Sequence, residues 1–368
     1  MFGEIAKTFG SNFLMSYFFP ASTLVFLQLF IHSISPNNIQ PVWDRMRSGI
    51  QILVAMSASQ LAASVLLAAT IAVLFQMFQS AITKLYEGYY RTTLVRFGGA
   101  LVLISLCGRW VTPNSATMLF WVASWSSVML LSGIVQIALV RRHRSRFSLL
   151  RQEIGQLGPD DPKRLMKEFQ VSRLYPPYWD AVLPTRFGNI IRAFEYHPQQ
   201  LYSIDPITSW PRLISVIPDS YQRLLEQAEF QVYSTLNLSL VFGVCAWQLT
   251  TSAALRPSEL TCVGALCSAL IAFFVYLGAC PKAANWGEVV RGAFDLYRHD
   301  LLLQLGVVLP KTPITLVDEQ RLWRLTQRVT YYLEDPGPSL SFSPTSWAIK
   351  DASAARSANP GEDTLTPE

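Results

Sequence analysis

Charged residues are scarce in this sequence. Asp, Glu, Lys and Arg make up 15% of its 368 residues, well below the quarter or so that is usual in soluble domains. Hydrophobic residues make up 51%, and the mean hydropathy is +0.26. Several apolar runs approach or exceed the roughly 20 residues that cross a bilayer as a helix. The composition therefore excludes an ordinary soluble domain and predicts an all-α, polytopic membrane protein.

Acidic residues and lysine do not occur deep inside the apolar runs. Because proton-coupled transporters place ionisable side chains at membrane depth, this absence argues against such a transporter. Basic residues instead cluster beside the runs, and the formal net charge is +5. That distribution is typical of topology signals and of contacts with anionic membrane lipids, so we expect no nucleic-acid partner.

Catalytic and metal-binding motifs are missing as well. The five cysteines lie in or at the ends of apolar runs without a Cys-x-x-Cys pair, which predicts buried free thiols rather than a disulfide frame. The four histidines lack metal-ligand spacing. No nucleophile-elbow, phosphate-loop or dinucleotide-binding glycine pattern is present. We predict no catalytic residue, no metal ion and no cofactor, and a protein that is not an enzyme.

Six apolar segments are predicted to span the membrane, and the third is short enough to be a tilted span or a re-entrant segment. The segments are 13–34, 50–78, 94–111, 116–140, 232–251 and 260–280. The chain then divides into a membrane region with about four spans (1–140), a polar helical insert (141–230), a two-span hairpin (231–280), a second polar helical region (281–335) and a tail rich in Pro, Ser, Ala and Gly that is predicted to be disordered (336–368).

An arginine cluster sets the predicted orientation. Arg141, Arg142, Arg144 and Arg146 directly follow the fourth span and are predicted to contact lipid headgroups. Because cytoplasmic loops carry the excess of Lys and Arg, the cluster puts both polar regions and both termini in the cytoplasm.

Helix signals recur in the polar regions. Thr185 is predicted to cap an amphipathic helix that ends at Pro198. Thr315 and Asp318 fit a capping box that begins a last helix. Residues 202–212, rich in Pro and aromatic side chains, are predicted to form an ordered loop. Together these segments predict a helical cytoplasmic domain.

A candidate ligand site lies on the helix after Thr185. Arg186, Asn189 and Arg192 recur three residues apart, on the side expected to face away from the apolar stripe. Arginine suits the geometry of phosphate groups, so these residues predict a site for a small anionic ligand or a protein partner. A solvated helix face, with Arg192 paired to a nearby glutamate, is the alternative.

Two polar residues are predicted to lie within the spans. Gln60, well inside 50–78, and Asn237 are candidates for lining a pore, and a hydrogen bond between helices is the alternative for Gln60. Small residues at every fourth position, such as Ser64, Ala68 and Ala72, allow helices to approach closely and permit a homo-oligomer.

One stretch of the insert resembles a known group. Its motifs are Leu183-Pro-Thr-Arg-Phe-Gly-Asn189, Arg192-Ala-Phe-Glu195, Tyr202-Ser-Ile-Asp205 and Trp210-Pro-Arg212. In these the chain resembles bacterial multispanning membrane proteins with the pattern Leu-Pro-Thr-Arg-x-Gly-Asn. The resemblance implies a bacterial origin, a cytoplasmic (inner) membrane location and a shared architecture, and it carries no activity with it.

These features predict a non-enzymatic membrane scaffold, sensor or effector whose cytoplasmic helical domain binds a partner or small ligand. The alternative is an oligomeric channel or pore-forming protein, with Gln60 and Asn237 along the conduit. A lipid-modifying membrane enzyme is the third hypothesis, for which no nucleophile, base or metal constellation is visible.

Overall fold

The computed structural model describes residues 12–33, 54–89, 115–255, 258–309 and 315–332, together with positions 10, 47, 50 and 51. At residues 115–134 and a few helix ends only the backbone is described. The predicted span 94–111 and the predicted disordered tail 336–368 lie outside these residues.

The described part of the chain is helical and contains no β-strand, which confirms the predicted all-α class. A π-helical turn, Leu14–Phe18, leads into the first helix. The helices are α1 (Phe19–Ser33), α2 (Ala58–Glu87), α3 (Ser115–Gly155), α4 (Pro162–Leu174), α5 (Arg186–Tyr202), α6 (Pro206–Val216), α7 (Asp219–Leu255), α8 (Glu259–Gln304) and α9 (Leu316–Tyr332).

Four helical segments are long and apolar enough to cross a membrane, namely Leu14–Ile31, Ala58–Glu87, Asp219–Thr251 and Glu259–Gln304. They coincide with four of the predicted spans. The predicted span 116–140 lies on α3, which is 41 residues long. The chain is thus compatible with a membrane protein, and the number of six spans stays a prediction.

Helices α7 and α8 are longer than a bilayer requires. They contain 37 and 46 residues, which at 1.5 Å per residue is about 55 and 70 Å, against a hydrocarbon core of about 30 Å. Pro281 lies inside α8, so the last predicted span continues without a break into the polar region that follows it. Each helix therefore carries both an apolar and a polar segment.

The chain divides into two compact units. The first comprises Met1–Ala193 and Glu226–Gly287, and the second comprises Phe194–Leu225 and Glu288–Glu368. The predicted insert 141–230 is therefore shared between the two units.

Small residues bring α1 and α2 together in the first unit. Ala68 and Ala72 are buried, and Ala72 packs with Ala21 and Tyr17 in one cluster. On α8, a Cβ added to Gly264 would lie 3.3 Å from Leu249 Cδ1. Some of the small residues predicted to permit a homo-oligomer therefore pack against other helices of the same chain. Their size lets the helix backbones approach closely.

The loop before α5 packs on the end of α2. Gly88 has a φ of +101° and ends α2 by a Schellman motif, in which its amide donates to Leu85 O and the Tyr89 amide donates to Lys84 O. A Cβ on Gly88 would overlap the Pro184 ring, and a Cβ on Gly188 would overlap the carbonyl oxygen of Glu87. Glycine at these two positions permits the close approach.

The second unit corrects two predictions. Pro198 does not end α5, which continues to Tyr202 and ends where Ser203 adopts a left-handed φ of 61°. Residues 206–216 form the helix α6 rather than a loop, because Asp205 Oδ1 accepts the Ile207 amide and Pro206 occupies the first helical position. The predicted capping box of α9 is confirmed, since the Asp318 amide donates to Thr315 Oγ1 and the Thr315 amide to Asp318 Oδ2.

Candidate functional site

An apolar cluster joins α3 to α4 and to the loop that follows. Phe147 and Ile154 of α3 are buried against Val171, Tyr175 and Val182. Helix α4 begins where Asp161 accepts the Lys163 amide and Pro162 takes the first helical position. The cluster holds α4 beside the polar end of α3.

A pocket of about 280 Å³ opens beside this cluster. Its lining comes from α3, α4, the residue after α4 and the first residue of α5. The lining residues are His143, Arg146, Leu150, Ile154, Lys167, Gln170, Val171, Leu174, Tyr175 and Arg186. Three separate helices thus each bring at least one basic side chain to the pocket, and no carboxylate is among the lining residues that the structure describes.

The positive field of the pocket acts on His143. Burial lowers the pKa of this half-buried imidazole, and the nearby Arg142, Arg146 and Arg186 guanidinium groups lower it further. Burial raises the pKa of Tyr175, whereas Arg146 and Arg186 oppose that rise. Arg146 and Arg186 thus lie close enough to both His143 and Tyr175 to affect the pKa of each. Their positive charge would stabilise an anion bound in the pocket.

Lys167 differs from the other basic lining residues because its Nζ lies 3.1 Å from Glu153 Oε2. Glu153 does not line the pocket, and both side chains of this pair are about half exposed. Arg146 and Arg186 form no ion pair with any residue that the structure describes. The two arginines are therefore the main source of uncompensated positive charge.

The four arginines predicted to contact lipid headgroups have different positions. Arg141 and Arg142 are exposed. The Arg144 guanidinium lies 4.1 Å from the Trp179 ring centroid and donates to Asp180 O at 3.1 Å, whereas Arg146 lines the pocket. One arginine of this group thus contacts the loop after α4, and another lines the pocket.

The three residues of the predicted ligand site, Arg186, Asn189 and Arg192, do not lie on one surface. Arg186 lines the pocket. Arg192 donates to the Tyr89 hydroxyl. The placement of Asn189 on the polar side was wrong: this residue is 1% exposed. Its Oδ1 accepts the Leu183 amide at 2.7 Å, and its Nδ2 donates to Leu183 O and Thr185 O.

The structural reason is the turn at the start of α5. Thr185 caps the helix as predicted, with its Oγ1 accepting the Gly188 amide at 2.9 Å. The backbone just before the helix folds back over position 189, where the asparagine amide satisfies its buried polar groups. Asn189 thus holds the turn that presents Arg186.

Gln60 does not lie well inside a span. Helix α2 begins at Ala58, and Gln60 Oε1 accepts the Ser57 amide while Ser57 Oγ accepts the Gln60 amide. This capping box was legible in the sequence as Ser-x-x-Gln. The prediction was wrong because the helix is interrupted at residues 55–57, inside the apolar run, and a new helix begins at Ala58.

Asn237 is fully buried on α7. Its Nδ2 donates to Ser16 O at 2.9 Å and to Gln79 Oε1 at 3.0 Å. It therefore joins the π-helical turn, α2 and α7. Neither this placement nor that of Gln60 supports a conduit.

His143, Lys167 and Tyr175 line the pocket but were not singled out from the sequence. A periodicity could have shown them. His143, Arg146 and Leu150 are three and four residues apart and share one face of α3, and Lys167, Gln170 and Leu174 do the same on α4. The periodicity could not show that these faces of α3 and α4 lie next to each other.

The chemistry available to the pocket is anion binding. Guanidinium and ammonium groups donate charge-assisted hydrogen bonds to phosphate, sulfate and carboxylate oxygens. Among the described residues, no group of His, Cys, Asp and Glu is arranged to hold a metal ion.

Comparisons with protein-family models, with curated proteins and with solved structures gave no match.

Proposed function

We propose that this chain is a non-enzymatic membrane receptor that binds a small anionic ligand in the pocket between α3, α4 and the start of α5. The observation that carries the proposal is the convergence of His143, Arg146, Lys167 and Arg186 on one pocket, with no carboxylate among its described lining residues. The receptor is a sensor or effector whose polar region lies in the cytoplasm of a bacterial cell.

The electrostatic argument is that like charges repel each other unless a counter-charge intervenes. Arg146 and Arg186 both act on His143, and they form no ion pair with any described residue. A bound anion supplies the missing charge and forms hydrogen bonds with several donors at once. Anion binding would therefore stabilise the contact of α3 with α4 and α5.

The coupling to the membrane rests on α3. The pocket residues His143 and Arg146 belong to the same continuous helix as the predicted span 116–140. A change in how α4 or α5 packs on α3 would thus act directly on a helix that enters the membrane. This continuity supports a sensor rather than a passive anchor.

The test measures thermal unfolding of the purified protein by tryptophan fluorescence, in sodium sulfate and in sodium chloride at equal ionic strength. A ligand that binds the folded state raises the unfolding temperature. We expect sulfate to raise it for the native protein and not for the double variant Arg146→Gln/Arg186→Gln.

The matched control is Arg141→Gln/Arg223→Gln, which removes the same charge from two exposed positions outside the pocket. It should keep the full effect of sulfate. General stabilisation by sulfate is the same in all three proteins, so an equal shift in all of them would contradict the proposal.

A further inference from the structure

We infer that the ligand is an organic monophosphate with an unbranched apolar tail. This inference rests on the proposed function and adds the chemical class of the ligand. It is carried by the division of the pocket into a basic part and an apolar part, and by the place of the pocket on α3.

The apolar part is formed by side chains of α3 and α4. Leu150 and Leu174, which are partly buried, line the pocket beside the buried Ile154 and Val171. A compact anion such as inorganic phosphate would contact the basic groups and leave Leu150 and Leu174 beside water. An apolar tail attached to the phosphate would cover them, and each buried methylene raises the affinity about fourfold.

The pocket offers few uncharged polar groups. Among the lining residues that the structure describes, Gln170 and Tyr175 are such groups besides the His143 imidazole, and the Tyr175 hydroxyl already lies 3.4 Å from His143 Nδ1. A nucleotide or sugar phosphate would bring several hydroxyl groups and ring nitrogens without partners, and unsatisfied polar groups cost binding free energy. The lining therefore disfavours nucleotides and favours an alkyl or acyl chain.

The size of the pocket limits the tail. A volume of about 280 Å³ corresponds to about nine water molecules at about 30 Å³ each. It lies just below the range of about 300–1,000 Å³ that is typical of sites for drug-sized ligands. A phosphate group and a short stretch of chain fill it, and the remainder of a longer chain would leave through the mouth.

The position on α3 suggests where such a ligand comes from. His143 is three residues beyond Val140, the end of the predicted span, a rise of about 4.5 Å along the helix. That depth corresponds to the headgroup region of a bilayer. The phosphate could therefore belong to a membrane lipid or to a free alkyl phosphate, and both share the same chemistry.

The test is calorimetric titration of the full chain in phosphatidylcholine nanodiscs with inorganic, methyl, butyl and hexyl phosphate. Empty nanodiscs correct for partition of the longer phosphates into the bilayer. We expect hexyl phosphate to bind at least about tenfold more tightly than methyl phosphate, a lower bound for several buried methylenes. Arg146→Gln/Arg186→Gln should abolish the binding of all four.

Leu150→Gln separates the two parts of the pocket. It should lower the ratio of hexyl to methyl phosphate affinity more than it changes the affinity for inorganic phosphate. The series in the native protein needs no variant, so it stays informative if Leu150→Gln fails to fold.

Two outcomes separate the inferences. Equal affinity for methyl and hexyl phosphate would overturn the apolar tail and leave the anion receptor standing. No binding of any phosphate would overturn both. Nanodiscs that contain phosphatidic acid distinguish the sources: weaker apparent binding of hexyl phosphate shows that a bilayer headgroup occupies the pocket, and unchanged binding shows that the ligand comes from solution.

Discussion

His143 Nδ1 lies 3.4 Å from the hydroxyl oxygen of Tyr175. The two residues are 32 positions apart and join α3 to the residue that follows α4. Their rings are tilted, with centroids 6.2 Å apart. His143 is the only histidine among the described lining residues of the pocket. Its protonation therefore depends on the charge of the ligand that the pocket binds.

Sulfate affinity should rise as the pH falls from about 8 to about 5, the range in which histidine titrates. A bound anion favours the charged imidazole and opposes the lowering of the His143 pKa by burial and by Arg142, Arg146 and Arg186. A rise of one pKa unit on binding gives a limiting gain of about tenfold. Calorimetry at several pH values measures the gain. In His143→Gln the affinity should be nearly independent of pH, and an unchanged pH profile would exclude His143 as its source.

The unliganded protein should lose stability at low pH through the same group. Because the folded-state pKa of His143 is below its ordinary value of 6.5, the unfolded chain binds the proton more readily. The stability that depends on a neutral His143 is present above pH 6.5 and is lost as the pH falls from 6.5 through the lower folded-state pKa. The unfolding temperature of the native protein should therefore decrease more steeply with falling pH than that of His143→Gln, measured without polyvalent anions. Parallel curves would contradict the assignment.

Gly188→Ala should destabilise the first unit. The new Cβ would overlap the carbonyl oxygen of Glu87, which is backbone and cannot rotate away. Overpacking of this kind costs about 1–3 kcal/mol, and thermal unfolding measures it. Gly155→Ala is the matched control, because a Cβ there meets nothing within 4 Å. Similar results for the two variants would show that the loop before α5 does not pack on α2 as described.

Glu319→Gln should destabilise the second unit. Glu319 Oε1 lies 2.6 Å from Arg298 Nε and 3.0 Å from His299 Nε2, and its side chain is only 7% exposed. Removing one partner of a buried ion pair costs about 3–5 kcal/mol when burial is complete, and about 2–3 kcal/mol is expected here because Arg298 is partly exposed. Urea unfolding measures the loss. Glu168→Gln, in a more exposed pair with Arg164, should change stability by less than about 0.5 kcal/mol.

Asn237→Leu should weaken the packing of α7 on α2 and on the π-helical turn. It removes the hydrogen bonds to Ser16 O and Gln79 Oε1, and interhelical hydrogen bonds in membrane proteins are worth about 0.6–2 kcal/mol each. Thermal unfolding in nanodiscs measures the effect. Thr250→Ala is the control, because the exposed Thr250 hydroxyl donates only within its own helix. An equal or higher unfolding temperature for Asn237→Leu would exclude the proposed role as an interhelical connector.

The expected position of Gln60, well inside a span, shows one limit of reasoning from the sequence. Hydropathy predicted the second span from residue 50, but apolar composition alone does not show that the helix is interrupted at residues 55–57. The capping box of Ser57 and Gln60 begins a new helix there and places Gln60 in its first turn. Asn189 on α5 shows the same limit. Helical periodicity places its side chain on the polar side, but the turn that precedes the helix covers and buries it.

The helical class, the approximate positions of the four apolar helices and several helix ends could be predicted from the residues alone. These properties depend on residues close together in the chain, through periodicity, capping and the length of apolar runs. The sequence did not show that Arg146 and Arg186 share a pocket with His143 and Lys167 while Arg192 does not line it. The pocket depends on contacts among three helices, and the packing of Phe147 and Ile154 against Val171 and Tyr175 brings two of their faces together.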